Sequence, residues 1–236
     1  MPTVKLILEY DGSRYAGWQR QPDQPTIQEA VETALFQLTQ ETVSVIGAGR
    51  TDAGVHALGQ VASFRIARTW TPRAWMRGLN ARLPEDIAVR SVAIVSDDFH
   101  ARYGARGKLY EYRILNRSER PALDRAYLWH VHKPLDPSAM ERAAAHLTGS
   151  HDFSSFEGTL TDNEDPVCDL RQLSVHKEGD LIRIRAYADR FLKHMVRAVV
   201  GTLVEVGHAR RMPESLETIL AAKDRTAAGR TAPPHG

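Results

Sequence analysis

Residues 47–64 read GAGRTDAGVHALGQVASF, which sets an Arg-Thr-Asp triplet between glycines, directly before an alternating run of apolar residues. The glycines predict a tight turn, and the alternation is typical of a strand with one buried face. Asp52 and Arg50 are therefore expected on one short loop between two strands, residues 43–48 and 60–66. A loop held between central strands is a rigid place for a reacting side chain.

The residues around this loop predict the order strand, helix, strand, strand, helix, strand. Apolar residues alternate over residues 4–10 and recur with helical spacing over residues 27–39, where a capping box marks the helix start. A second helix is predicted from Pro72, because proline suits a first turn, to about residue 83. The fourth strand covers residues 87–95.

The second half of the chain is predicted to repeat this order. Strands are expected at residues 108–115, 126–131, 170–175 and 181–188, and helices at 136–147, 191–206 and 214–223. Two β-α-β-β-α-β units predict an α+β fold of two ferredoxin-like halves, residues 1–104 and 105–236. Their antiparallel sheets would lie side by side, with helices on the outer faces. The second half lacks its last strand, because the chain ends in the loop-like string AAGRTAPPHG. Either the sequence is cut short there or the edge is open.

Composition is that of a globular protein and excludes a disulfide framework. The 236 residues are 42% hydrophobic and 25% charged, with one cysteine, Cys168, and without an apolar run of membrane-spanning length. No signal peptide is evident, since the first residues alternate as a strand. These features predict a cytoplasmic protein that has no cysteine-based zinc site and no association with a membrane.

Arginine dominates the basic residues, because only six of the 31 are lysines and 25 are arginines. Arginine suits phosphates and stacked bases, although a GC-rich or heat-adapted source would favour it as well. Seven basic and three acidic residues lie in the segment 100–125, interleaved with His100, Tyr103, Tyr110 and Tyr112. This segment is predicted to face RNA, or alternatively to be a charged strand edge.

The glycines near Asp52 do not form a familiar nucleotide-binding loop. A dinucleotide-binding fingerprint beginning at Gly47 would need a glycine where Asp52 stands, and no Gly-Lys-Ser/Thr follows for a P-loop. A carboxylate in that place would also repel phosphate. From the residues alone, Asp52 is either a turn residue that bonds nearby amides or a reacting carboxylate beside Arg50.

The string GRTDAGVHALGQVASF resembles the tRNA pseudouridine synthase A family, and the resemblance covers nearly the whole chain. YDGSRYAGWQRQ, at residues 10–21, and TIQEAVETAL are similar to the family's N-terminal blocks. LNARLPEDIAV, DDFHARYGARGKLYEYRI and DRFLKHMVRAVVGTLVEVG are similar to its later blocks, in the expected order. Because several long blocks match in order, the chain is identified as a member of this family.

This resemblance implies an enzyme that converts uridine to pseudouridine at positions 38, 39 and 40 of the tRNA anticodon stem-loop. It implies no metal, nucleotide or redox cofactor, and a homodimer that holds tRNA across both subunits. The family chain continues with a further strand, so the resemblance favours an incomplete C-terminus here. The alternative function is a non-catalytic module that binds structured RNA.

The family's motifs also imply roles for four residues. Asp52 matches the catalytic carboxylate, acting as nucleophile or as base, in a cleft between the two halves. Arg197, in KHMVR, matches the arginine that pairs with this Asp and would keep it ionised and oriented. Tyr110, in KLYEY, matches the tyrosine that stacks on the extruded base, and Arg50 matches an arginine that enters the RNA stem as that base leaves.

Overall fold

The computed structural model describes residues 1–158 and 165–236. The chain divides into two compact units, Met1–Ala105 and Arg106–Gly236, and each unit has its own sheet and hydrophobic core. The predicted α+β fold class with two sheets is confirmed. None of the helices in these described ranges is long and apolar enough to cross a membrane.

The first unit has the predicted order of elements. They are β1 (Thr3–Tyr10), α1 (Ile27–Thr39), β2 (Ile46–Gly47), β3 (Ala57–Arg65), α2 (Pro72–Asn80) and β4 (Ile87–Val95). The sheet has the order β2-β3-β1-β4 with antiparallel neighbours throughout. One face of β1 is buried in the core of the first unit, as the alternation of Val4, Leu6 and Leu8 predicts.

The predicted strand at residues 43–48 is reduced to the two residues of β2, and that prediction was wrong in length. Helix α1 explains the difference, because its side chains take over the backbone bonding. The amide of Val45 donates to Glu32 Oε1 at 3.0 Å, and its carbonyl accepts from Gln28 Nε2 at 3.2 Å. Backbone groups satisfied in this way do not need a ladder partner.

The second unit departs from the predicted six-element repeat. Its elements are β5 (Lys108–Asn116), β6 (Trp129–Val131), α3 (Pro137–Ala145), β7 (Gly149–Asp152), β8 (Val167–Glu178), β9 (Leu181–Ala188), α4 (Met195–Gly207) and α5 (Ser215–Ala222). The sheet order is β6-β5-β9-β8-β7, and β7 was not predicted. Strand β6 pairs with β5 in parallel, so the sheet is mixed rather than antiparallel. The connection between them is long enough for a crossover, which parallel pairing requires.

Helix α4 forms the centre of the second core, since ten of its thirteen residues are buried. A helix that is apolar around most of its circumference needs partners on several sides. The sheet supplies one of them. The end of the chain supplies another: after a short 3₁₀ turn at Arg225–Ala227, the last residues run along α4 without forming a strand.

Candidate active site

Asp52 lies on the loop that joins β2 to β3, at the start of a tight turn. The amide of Val55 donates to the carbonyl of Asp52 at 3.1 Å, and Gly54 has a φ of 76°. A positive φ at the third position of a turn favours glycine, which accounts for the glycine two residues after the aspartate. The Asp52 side chain is half-buried at this turn.

A second loop, residues 11–18, binds the Asp52 loop through its backbone. The amide of Trp18 donates to the carbonyl of Thr51 at 3.0 Å, and the amide of Gly54 donates to the carbonyl of Tyr15 at 3.3 Å. These bonds hold the chain on both sides of Asp52, at the residue before it and at the third residue of its turn. The two loops are therefore joined by their backbones, and together they support Asp52.

Gly17 shows how closely the two loops approach. It has a φ of 103°, and a Cβ atom at this position would lie 2.5 Å from the Thr51 carbonyl oxygen. Both the backbone conformation and the contact exclude a larger residue. The block YDGSRYAGWQRQ, at residues 10–21, therefore packs against the Asp52 loop and supports it.

Three further hydrogen bonds hold the outer parts of these two loops. Gln60 Nε2 donates to the carbonyl of Gly49 at 2.7 Å, just before the triplet. Tyr15 donates its hydroxyl to Asp86 Oδ1 at 2.6 Å, and Arg14 Nε donates to Asp86 Oδ2 at 2.9 Å. Burial, and after it the bond to Asp86, raises the pKa of Tyr15, so this phenol stays a donor throughout the physiological range.

Arg50 differs from the anchored residues around it. Its side chain is exposed and, among the residues that the structure describes, makes neither a hydrogen bond nor an ion pair. A long, unanchored cation two residues from a half-buried carboxylate can move without disturbing the loop. Its guanidinium is therefore able to bind a phosphate or to enter an RNA stem.

Tyr110 lies on β5, in the second unit. Its ring makes an edge-to-face contact with Phe191, with centroids 5.2 Å apart and an interplanar angle of 89°. This geometry is favourable for aromatic pairs and restricts the orientation of both rings. The tyrosine remains half-buried, so part of its surface is accessible to a ligand.

Arg197 lies in the first turn of α4, where the helix dipole disfavours a positive charge. The N-cap residue, His194, has a φ of 61° and no capping side-chain bond. The Arg197 Nε group donates to the carbonyl of Ala232 at 2.8 Å, and the arginine is half-buried. A cation in this position is not explained by helix stability, which favours a functional role.

Tyr112 lies near the Arg197 guanidinium in the second unit. Burial raises the pKa of Tyr112, and the charge of Arg197 offsets part of that effect. The hydroxyl remains protonated and donates to the carbonyl of Pro233 at 2.7 Å. Across residues 1–158 and 165–236, no group of three or more His, Cys, Asp or Glu side chains is arranged to hold a metal ion.

Comparison with known proteins decides the family. The family model described as tRNA pseudouridine synthase matches residues 6–104 and 143–236. The chain belongs to the tRNA pseudouridine synthase family. It is 48% identical to the tRNA pseudouridine synthase A of Myxococcus xanthus, over the whole of this chain and 89% of that protein. It is 49% identical to that of Rhodospirillum centenum and 48% to that of Moorella thermoacetica, over 97% of each.

The match to the tRNA pseudouridine synthase family includes three of the four predicted site residues. Asp52 and Arg50 lie in the first matched stretch and Arg197 in the second, whereas Tyr110 lies between the two. The structure places Asp52 and Arg50 on one loop of the first unit and the other two residues in the second unit.

Sequence reasoning missed the supports of these residues. The bond between Trp18 and Thr51 and the bond between Ala232 and Arg197 join distant parts of the chain. Gly12 and Gly17, in the block at residues 10–21, were the available signal for the first of them. For the second, the signal was a cation in the first turn of a largely apolar helix.

Proposed function

We propose that this chain isomerises uridine to pseudouridine at positions 38, 39 and 40 of the tRNA anticodon stem-loop. Curated relatives named tRNA pseudouridine synthase A, 44–49% identical along the whole chain, support the general activity. The observation that carries the proposal is the loop around Asp52. A half-buried carboxylate stands there on a doubly supported turn, beside an exposed arginine. Such a loop can hold a reacting group still against a bound nucleotide.

The reaction breaks the bond between ribose C1′ and uracil N1 and forms a bond between C1′ and C5. N1 gains a proton, and C5 releases its proton to solvent, so the base is isomerised without a net change of atoms. Asp52 can attack the sugar as a nucleophile, or it can remove a ribose proton as a base. Arg197 is proposed as its charge partner, which orients the carboxylate.

Tyr110 and Arg50 are proposed to handle the base. Taking a paired uridine out of a stem costs a few kcal/mol, which stacking and phosphate contacts offset. Tyr110 is a half-buried ring whose orientation is restricted by Phe191, which suits stacking on the extruded uracil. Arg50 is exposed and unanchored, which suits entry into the space that the base leaves. The partner is tRNA, and we expect a homodimer, which sedimentation at several protein concentrations would test.

A non-catalytic RNA-binding module is the alternative. The carboxylate of Asp52 argues against it, because a negative charge facing phosphates weakens binding. The test is incubation of the purified protein with tRNA labelled with tritium at uridine C5. We expect release of tritium to solvent and new pseudouridine at positions 38–40. Binding without release would support the alternative, and release from uridines elsewhere would contradict the proposed positions.

A further inference from the structure

The end of the chain, residues 228–236, is bound along α4 as a strap. The amide of Gly229 donates to Thr202 Oγ1 at 2.9 Å, and Thr202 is fully buried. The amide of Arg230 donates to Glu205 Oε1 at 3.3 Å. In both bonds the strap contributes a backbone amide and α4 contributes a side chain. The strap is therefore attached to the middle of the helix.

The strap touches the helix backbone itself at Gly201. A Cβ atom at this position would lie 1.7 Å from the carbonyl oxygen of Arg230, a distance at which no side chain fits. Glycine inside a helix costs stability relative to alanine. Its presence here allows the close approach of the strap.

Ala232 binds Arg197 in two ways. Its carbonyl accepts from the Arg197 Nε group at 2.8 Å, and its amide donates to the Arg197 carbonyl at 3.0 Å. The next residue, Pro233, accepts from the buried Tyr112 hydroxyl at 2.7 Å. Ala232 is only 1% exposed, so water does not compete for these bonds. The strap thus fixes the direction of the guanidinium as well as the backbone that carries it.

This arrangement limits how Arg197 can hold an anion. A guanidinium binds a carboxylate either through Nε and one Nη or through both Nη groups. Because Nε donates to the Ala232 carbonyl, the geometry directs a carboxylate to the two Nη groups. We propose that the strap is a positioning element for the reaction, which presents the Nη edge of Arg197 to the catalytic carboxylate. This inference depends on the proposed function, in which Asp52 is that carboxylate.

The first test compares Ala232→Pro with Ala232→Gly. Proline removes the amide that binds Arg197, whereas glycine keeps both the amide and the carbonyl. For Ala232→Pro we expect single-turnover pseudouridine formation to slow by about 10- to 100-fold, because the rate falls steeply when a group such as the Arg197 guanidinium is misplaced. The Kd for tRNA should be unchanged, and Ala232→Gly, which keeps both backbone groups, should lose much less activity than Ala232→Pro. An unchanged rate in Ala232→Pro would overturn the proposal.

The second test separates positioning from general stability through a double-mutant cycle. Lysine keeps the charge but lacks Nε, so in an Arg197→Lys background the strap cannot direct the charged group. Ala232→Pro should then slow the reaction no further, within about 2-fold, as expected for coupled residues. An equal loss in both backgrounds would show a merely structural strap. If Ala232→Pro fails to fold, Tyr112→Phe replaces it in the same cycle.

The outcome is distinguishable from failure of the proposed function. A wild-type protein that releases no tritium from tRNA would remove the function and with it this inference. A wild-type protein that is active, with an inactive Asp52→Asn variant and a fully active Ala232→Pro variant, would remove only the strap's role.

Discussion

The backbone amide of Trp18 donates to the carbonyl of Thr51 at 3.0 Å, so the residue before Asp52 is held from a different loop. The Trp18 side chain is 2% exposed and packs 6.2 Å from the ring of Tyr10. The Tyr10 hydroxyl in turn lies 2.9 Å from Thr51 Oγ1. Two aromatic residues of the N-terminal block therefore hold the backbone and the side chain of one threonine. A reacting group gains precision from such neighbours.

Replacing Gly17 with alanine should displace the Asp52 loop. The new Cβ would meet the Thr51 carbonyl in a backbone conformation that alanine avoids, which costs about 1–3 kcal/mol. We expect a lower midpoint of urea unfolding and at least about a 10-fold loss of pseudouridine formation. Gly59→Ala is the matched control, since the nearest atom to its Cβ is 4.0 Å away. Equal activity of the two variants would contradict the supporting role of Gly17.

Arg50→Ala should slow the reaction more for a paired uridine than for an unpaired one. The arginine is proposed to fill the space of the departing base, and an unpaired base leaves at lower cost. Single-turnover rates on stem-loops with the target uridine paired or mismatched would measure the difference. Arg73→Ala, another exposed arginine of the first unit, serves as control. The same loss on both substrates would indicate a phosphate contact instead.

Tyr110 is expected to act through its ring. Stacking on a base contributes about 1–3 kcal/mol, so Tyr110→Ala should weaken stem-loop binding by about 10-fold or more. Tyr110→Phe keeps the ring and its contact with Phe191, and should bind as wild type. Fluorescence anisotropy with a labelled stem-loop measures both values. Equal weakening in the two variants would show that the hydroxyl, and not stacking, matters.

Cys168 should react slowly in the native protein. It is 1% exposed, and burial raises its pKa to about 11. At pH 8 only about one thiol in a thousand is then ionised, and the thiolate is the reactive form. Alkylation by iodoacetamide should be at least about 100-fold slower in the native protein than in 8 M urea. Similar rates with and without urea would show that the second core is not closed around this residue.

Local patterns in the sequence predict much of the fold. Helix α1 and strands β4 and β9 have the predicted bounds, because their apolar periodicity and flanking turns are contained within the elements themselves. The predicted length of strand β2 was wrong because the backbone of Val45 bonds to side chains of α1. No local sequence pattern reveals such bonds. The parallel pairing of β6 with β5 likewise depends on the path of the connection between them, which no local pattern reveals.

The site divides in the same way. The glycines around the Arg-Thr-Asp triplet predict a tight loop, and the structure has a turn there. The strap on α4 could not be predicted, because AAGRTAPPHG has a loop-like composition. Its ordered path depends on contacts with a helix that is distant in sequence. Within α4, Gly201 is a signal of such a close approach.

The most direct test of the account is pseudouridine formation by Asp52→Asn, measured with tRNA binding in the same preparation. Asparagine keeps the size of the side chain but cannot act as nucleophile or base. Asp97→Asn, at an exposed carboxylate near the N-terminal amine, is the matched control. We predict no detectable product from Asp52→Asn, with the Kd for tRNA within about 3-fold of wild type, and full activity from Asp97→Asn. Turnover by Asp52→Asn at the wild-type rate would contradict the central claim.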